Sequence, residues 1–165
     1  RGMLDVQVQG NDLTDLLLVE VSRCPTLAFG ASLTAGLASF ANSREMHRDA
    51  SEGGHLVVTI GQVRRDGIAQ AVSAALKHLA HCEAIMVDCD IDVIDRGQMP
   101  GAPGARPGGM SAHDFFAAVR SLAADPKVRL IDLPEWDPPL DSTDLSALTA
   151  GRWVAECLAG FEARR

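Results

Sequence analysis

Three short apolar runs, at residues 56–60, 84–87 and 128–133, alternate with stretches of helical periodicity, and this alternation limits the possible folds more than any other feature. The first, Leu56-Val57-Val58-Thr59-Ile60, has the β-branched content of a buried strand. Between Val63 and His81 the apolar residues Ile68, Val72, Ala75, Leu76 and Leu79 recur at steps of three and four, while Arg65, Asp66, Gln70 and Lys77 take other faces, which predicts one amphipathic helix. Ser111 is placed to cap the next helix, with Asp114 three residues on and Phe115, Phe116, Val119 and Leu122 as its apolar side. A last helix, opened by Asp141 or Ser142, carries Leu145, Leu148, Trp153, Val154 and Leu158. Alternating strands and helices predict β-α-β crossovers and an α/β sheet with helices on both faces. A short polar helix at residues 43–51, stopped by Gly53-Gly54, precedes the first strand. Residues 1–40, with a Leu-rich stretch at 13–21 and a small-residue stretch at 28–40, give no firm assignment.

Bulk properties narrow the class. A chain of 165 residues with 47% hydrophobic and 22% charged residues is one domain or a piece of one, with the balance of an ordinary water-soluble fold. A net charge of -7 gives no electrostatic reason to approach nucleic acid or an anionic bilayer. No apolar run approaches the ~20 residues that span a membrane, and Arg1-Gly2-Met3 does not open a secretory leader, so a cytoplasmic location is expected. Cys24, Cys82, Cys89 and Cys157 fall at no C-x-x-C spacing and read as scattered free thiols.

Chemistry is expected at strand exits, where loops and helix N-termini converge in a parallel sheet. The second strand runs into Asp88-Cys89-Asp90-Ile91-Asp92-Val93-Ile94-Asp95, four carboxylates within eight positions. In an extended chain residues two apart point the same way, so Asp88, Asp90 and Asp92 could share one point. Like charges crowded together repel strongly away from water, and a divalent cation is the simplest compensation. The plain alternative is a solvated acidic loop, but Ile91, Val93 and Ile94 interleave the acids and favour burial. A calcium EF-hand loop needs Gly and Glu where Val93 and Met99 stand, so it fails. Phosphohydrolases of the haloacid dehalogenase type also place Asp-x-Asp after a strand, and this competitor stays open at this point. The Pro- and Gly-rich loop at residues 95–109 is too irregular for helix or ladder and is expected to be functional or disordered.

The flanking residues favour a different family. Asp90-Ile91-Asp92-Val93-Ile94-Asp95, then Pro100-Gly101, Pro107-Gly108-Gly109-Met110-Ser111 and Asp132-Leu133-Pro134-Glu135-Trp136-Asp137-Pro138, together resemble the ureohydrolases: arginase, agmatinase and formimidoylglutamase. The resemblance runs from about Phe40 to Gly160. It implies a three-layer α-β-α fold with a mainly parallel sheet, truncated at its N-terminus, so that residues 41–162 form the family-like C-terminal portion of a partial domain. It also implies two Mn2+ ions, with Asp90 and Asp92 among their ligands and Glu135 contacting the cationic group of a small amidine or guanidine substrate. Metal-bound water would supply hydroxide to a poor electrophile, and a buried Glu135 would hold the substrate in line. Homo-oligomers are a further implication.

The family's other metal-binding segments, Gly-Gly-Asp-His and Asp-Ala-His-x-Asp, are missing from the sequence. His47, His55, His78, His81 and His113 lie outside any such context and receive no ligand role. Two carboxylates cannot complete an octahedral pair of sites, so the chain is expected to be inactive alone; a non-catalytic ureohydrolase-like module is the alternative. Arg96, where arginases and agmatinases usually carry Pro, makes the loop more similar to formimidoylglutamases. Its charge could favour an acidic substrate such as formimidoylglutamate, or could simply point at solvent.

Overall fold

The computed structural model describes residues 17–23, 28–37 and 44–164. A five-stranded sheet in the order β3-β2-β1-β4-β5 runs through it. The strands are β1 (Leu17–Arg23), β2 (Ala28–Leu37), β3 (Leu56–Thr59), β4 (Ile85–Cys89) and β5 (Val128–Asp132). The helices are α1 (Arg44–Glu52), α2 (Ile60–Asp66), α3 (Ile68–His78), α4 (Ala112–Ala124) and α5 (Leu145–Glu162). β2 and β3 are parallel neighbours joined through α1, and β4 and β5 are parallel neighbours joined through α4; the second is a crossover that the alternation predicts, whereas β3 and β4, connected through α2 and α3, are separated in the sheet by β2 and β1. β1 pairs antiparallel with both β2 and β4, so four strands point one way and β1 the other. Both innermost pairings therefore involve β1, whose residues periodicity left unassigned.

Several boundaries differ from expectation, each for a local reason. β3 stops at Thr59, because Thr59 opens α2 with a capping box: its hydroxyl accepts from Gln62 N at 3.3 Å, and Gln62 Oε1 accepts from Thr59 N at 2.7 Å. The single helix expected over 63–81 is two, because Gly67 at φ 86 leaves the helical region between α2 and α3. α4 begins as predicted, with Ser111 Oγ accepting from Asp114 N at 3.0 Å and donating to Asp114 Oδ2 at 2.7 Å.

The core lies on the side of β4 that carries Ile85, Val87 and Cys89, packed with Val72, Ala75 and Leu79 of α3 and Phe115, Val119 and Leu122 of α4. α5 packs on α4 differently from expectation. Its buried residues are Ser146, Thr149, Ala150, Glu156, Cys157 and Gly160, whereas Leu145, Leu148, Val154 and Leu158 are exposed. Close approach explains the inversion. A Cβ on Gly160 would stand 2.5 Å from both Ala123 Cβ and Arg120 O, so only small residues fit at that crossing.

Candidate functional site

The acidic segment begins as a strand and leaves it early. β4 ends at Cys89, and Asp90 caps a single 3-10 turn at Ile91–Val93, so the extended geometry expected to align Asp88, Asp90 and Asp92 does not persist. Asp88 stays in β4 opposite Asp132 of β5. Asp90 and Asp92 are instead gathered by the turn: Asp90 Oδ1 accepts from Asp92 N at 3.2 Å. Both side chains are withdrawn from water, with Asp90 8% and Asp92 1% exposed. Burial raises the Asp90 carboxyl above its ordinary value; hydrogen bonding to Asp92 opposes the rise and the negative field of Glu135 adds to it.

That field also locates Glu135. Past β5 the chain turns back against the acidic segment, with Ile91 N reaching Pro134 O at 3.5 Å, and Glu135 follows in left-handed backbone at φ 61. Non-glycine residues pay for that conformation, and such outliers gather at functional sites. The side chain is exposed here, contrary to the buried carboxylate expected, because the strand has ended and the turn carries it outward.

The loop between Asp95 and Gly109 is ordered by its own side chains. Its ends are zipped by Asp95 N to Met110 O at 2.9 Å and Met110 N to Val93 O at 2.7 Å. Asp95 accepts from Gly97 N at 2.9 Å and Gly108 N at 2.7 Å, and these donors hold its carboxyl below the usual range. Asp95 is thus a loop organiser. Arg96 donates to Ala102 O at 3.0 Å and Pro103 O at 3.2 Å, so its guanidinium braces the loop. Arg64 of α2 holds Gly108 O at 2.6 Å, and Ser146 of α5 accepts from Gly101 N at 2.8 Å. Met99, Ala102 and Ala105 are buried beneath.

Gly104 is the consequential loop residue that sequence reasoning missed. A Cβ there would overlap Asp92 Oδ2, so the loop backbone lies directly on the carboxylate. The available signal was a glycine inside a Pro-rich loop following the acids, the kind of position where a backbone approaches something closely.

Hard carboxylate oxygens suit manganese, but the number falls short: among the described residues no group of three or more His, Cys, Asp or Glu side chains could hold a metal ion. Asp90 and Asp92 would be two of the oxygen donors such an ion requires, and further ones would have to come from elsewhere. No helix among the described residues is long and apolar enough to cross a membrane.

Comparison with known proteins gives the family and the fold. The sequence pattern of the Arginase family matches residues 21–160. A formimidoylglutamase of Halobacterium salinarum is 37% identical over 113 residues, 67% of this chain and 36% of that protein. The crystal structure of formimidoylglutamase from Bacillus subtilis superposes with a TM-score of 0.75 at 27% identity, covering 79% of this chain and 41% of that one. Trypanosoma cruzi formiminoglutamase with Mn2+ gives a TM-score of 0.75 at 18% identity, over 81% of this chain and 44% of that one, a likeness of fold. The chain belongs to the arginase family. It spans about two-fifths of the length of the curated formimidoylglutamases it matches.

Proposed function

We propose that this chain is the C-terminal part of a manganese-dependent hydrolase of C-N bonds in linear amidines, of the formimidoylglutamase type. Asp90 and Asp92 contribute one limb of a two-metal site, and Glu135 orients the cationic substrate. The observation that carries the reading is the turn at Asp90-Ile91-Asp92, which brings two buried carboxylates together at a strand exit within electrostatic reach of Glu135. The family match, a solved relative that holds Mn2+, and the formimidoylglutamase names of the relatives support it. When bound, the metal would supply Lewis acidity and hydroxide at neutral pH. The chain's own contribution is to hold two anionic oxygens in a dry turn, shield one of them with the Gly104 backbone, and present Glu135 beside them. A cytoplasmic location and assembly from identical subunits, implied by the sequence resemblance, belong to the same proposal.

With part of the ligand set present, the chain alone is expected to show no turnover of formimidoylglutamate, agmatine or arginine with manganese. Fused behind the N-terminal segment of the Halobacterium salinarum relative, it should gain manganese-dependent hydrolysis, strongest on formimidoylglutamate and lost in D92N. Turnover by the fusion that survives D92N would overturn the assignment. A second reading, a non-catalytic module of the same family, is favoured by the lack of a three-ligand group among the described residues; it predicts no activity from the fusion. Membership of the arginase family leaves the phosphohydrolase alternative without support.

A further inference from the structure

A second polar cluster lies away from the acidic turn, where α4 and α5 cross. Glu156 of α5 is 3% exposed and carries the only buried carboxylate of that helix among the described residues. Both its oxygens are taken by arginines through their Nε atoms: Arg120 of α4 donates to Oε2, and Arg152 of α5 donates to Oε1 at 2.6 Å. A buried carboxylate stripped of either partner is costly, so Glu156 acts as a template that keeps two long side chains side by side. The Arg152 guanidinium also sits 5.6 Å from the centre of the Phe116 ring, which restrains its plane. Among the described residues the terminal nitrogens of both guanidiniums have no hydrogen-bond partner. They border an open cavity of about 270 Å³, lined also by Ser121 and His113.

Two fixed guanidiniums against one carboxylate leave a surplus positive charge on a protein whose net charge is -7. We propose that this cavity is an anion-binding site for a phosphate-class oxyanion, bridged by the terminal nitrogens of Arg120 and Arg152 with the Ser121 hydroxyl at its rim. Arginine forks match phosphate bidentately, and a tetrahedral oxyanion has enough oxygens to engage both forks at once, which an acetate-like carboxylate lacks. The cavity also has room for the organic part of a small phosphomonoester. This site is independent of the amidine-hydrolase reading, since none of the residues that line it belongs to the acidic turn.

The test follows the arginine Nε-Hε resonances of the whole chain by NMR during titration at constant ionic strength. Inorganic phosphate and glycerol phosphate should each shift Arg120 and Arg152 saturably, at least tenfold more tightly than acetate, with chloride producing no saturable change. Ser121→Glu, at an exposed position, places a competing carboxylate at the rim and should abolish the phosphate response while leaving the far-UV circular dichroism unchanged. A linear response equal to that of chloride, equal affinity for acetate and phosphate, or unaltered phosphate binding in S121E would each overturn the proposal and reduce the cluster to a structural ion pair.

Discussion

At the scale of single residues, the site depends on contacts that leave no room for substitution. Gly104→Ala forces a methyl into the Asp92 carboxylate, and lifting the loop to relieve the overlap is expected to cost about 1–3 kcal/mol. Urea unfolding of the variant measures this, and an unchanged midpoint would show that the loop gives way freely. The buried thiols make a second prediction. Burial pushes Cys89 far above the usual thiol range, and burial pushes Cys157 up to about 11, so both are starved of thiolate. Neither should react with a thiol reagent near neutral pH until the chain is unfolded, as peptide mapping of the labelled protein would reveal. The residues of the candidate site were legible where chemistry is written in residue type: the acids at 90 and 92 and the acid at 135 stand in a recognisable frame. What the alternation rule could not supply was the turn that joins them, because Ile91 and Val93 carry strand propensity yet are buried in a 3-10 turn.

At the scale of elements, end signals decide more than apolar periodicity does. Thr59→Ala removes the hydroxyl that caps α2 and should destabilise the chain by about 1 kcal/mol, readable as a lower urea midpoint with α3 unaffected in helical content. α5 shows a less direct start. Asp144, in left-handed backbone, precedes it, while Asp141 accepts from the Thr143 hydroxyl at 2.6 Å, Thr143 N at 2.8 Å and Ser146 N at 2.5 Å. These donors hold the Asp141 carboxyl well below the ordinary 3.8. A depressed carboxyl binds fewer protons folded than unfolded, so its contribution is present above pH 3.8 and fades as pH falls through the folded value. Asp141→Asn should therefore flatten the loss of stability below about pH 4, where unfolding begins to take up protons on carboxylates; an acid limb identical to that of the unaltered chain would contradict this. Asp141 was nominated from sequence as a helix opener, and it does serve the first turn of α5, though from three residues farther back than a simple cap. The exposed apolar face of that helix was not legible, because its inner face is set by close approach, to α4 at Gly160 and to the Gly101 loop backbone at Ser146, where small residues are required.

At the scale of the whole molecule, the crossover from β4 to β5 was readable from alternation, and the arginase-like fold follows from the family frame. The sheet centre was not readable, since β1 and β2 carry no clear period and take their places through pairing with β4 and β3. Leu130 on β5 and Leu148 and Leu158 on α5 remain 49%, 69% and 61% exposed, a density of apolar surface that predicts self-association of the isolated chain, visible as a concentration-dependent sedimentation coefficient. The central claim is that Asp90 and Asp92 grip manganese as one limb of a larger site, and titration of Mn2+ into the chain, followed by electron paramagnetic resonance of the free ion, tests it most directly. Weak uptake that disappears when both acids become Asn, in a protein of unchanged circular dichroism, is the predicted result. Uptake that is the same with and without those two carboxylates would contradict the account.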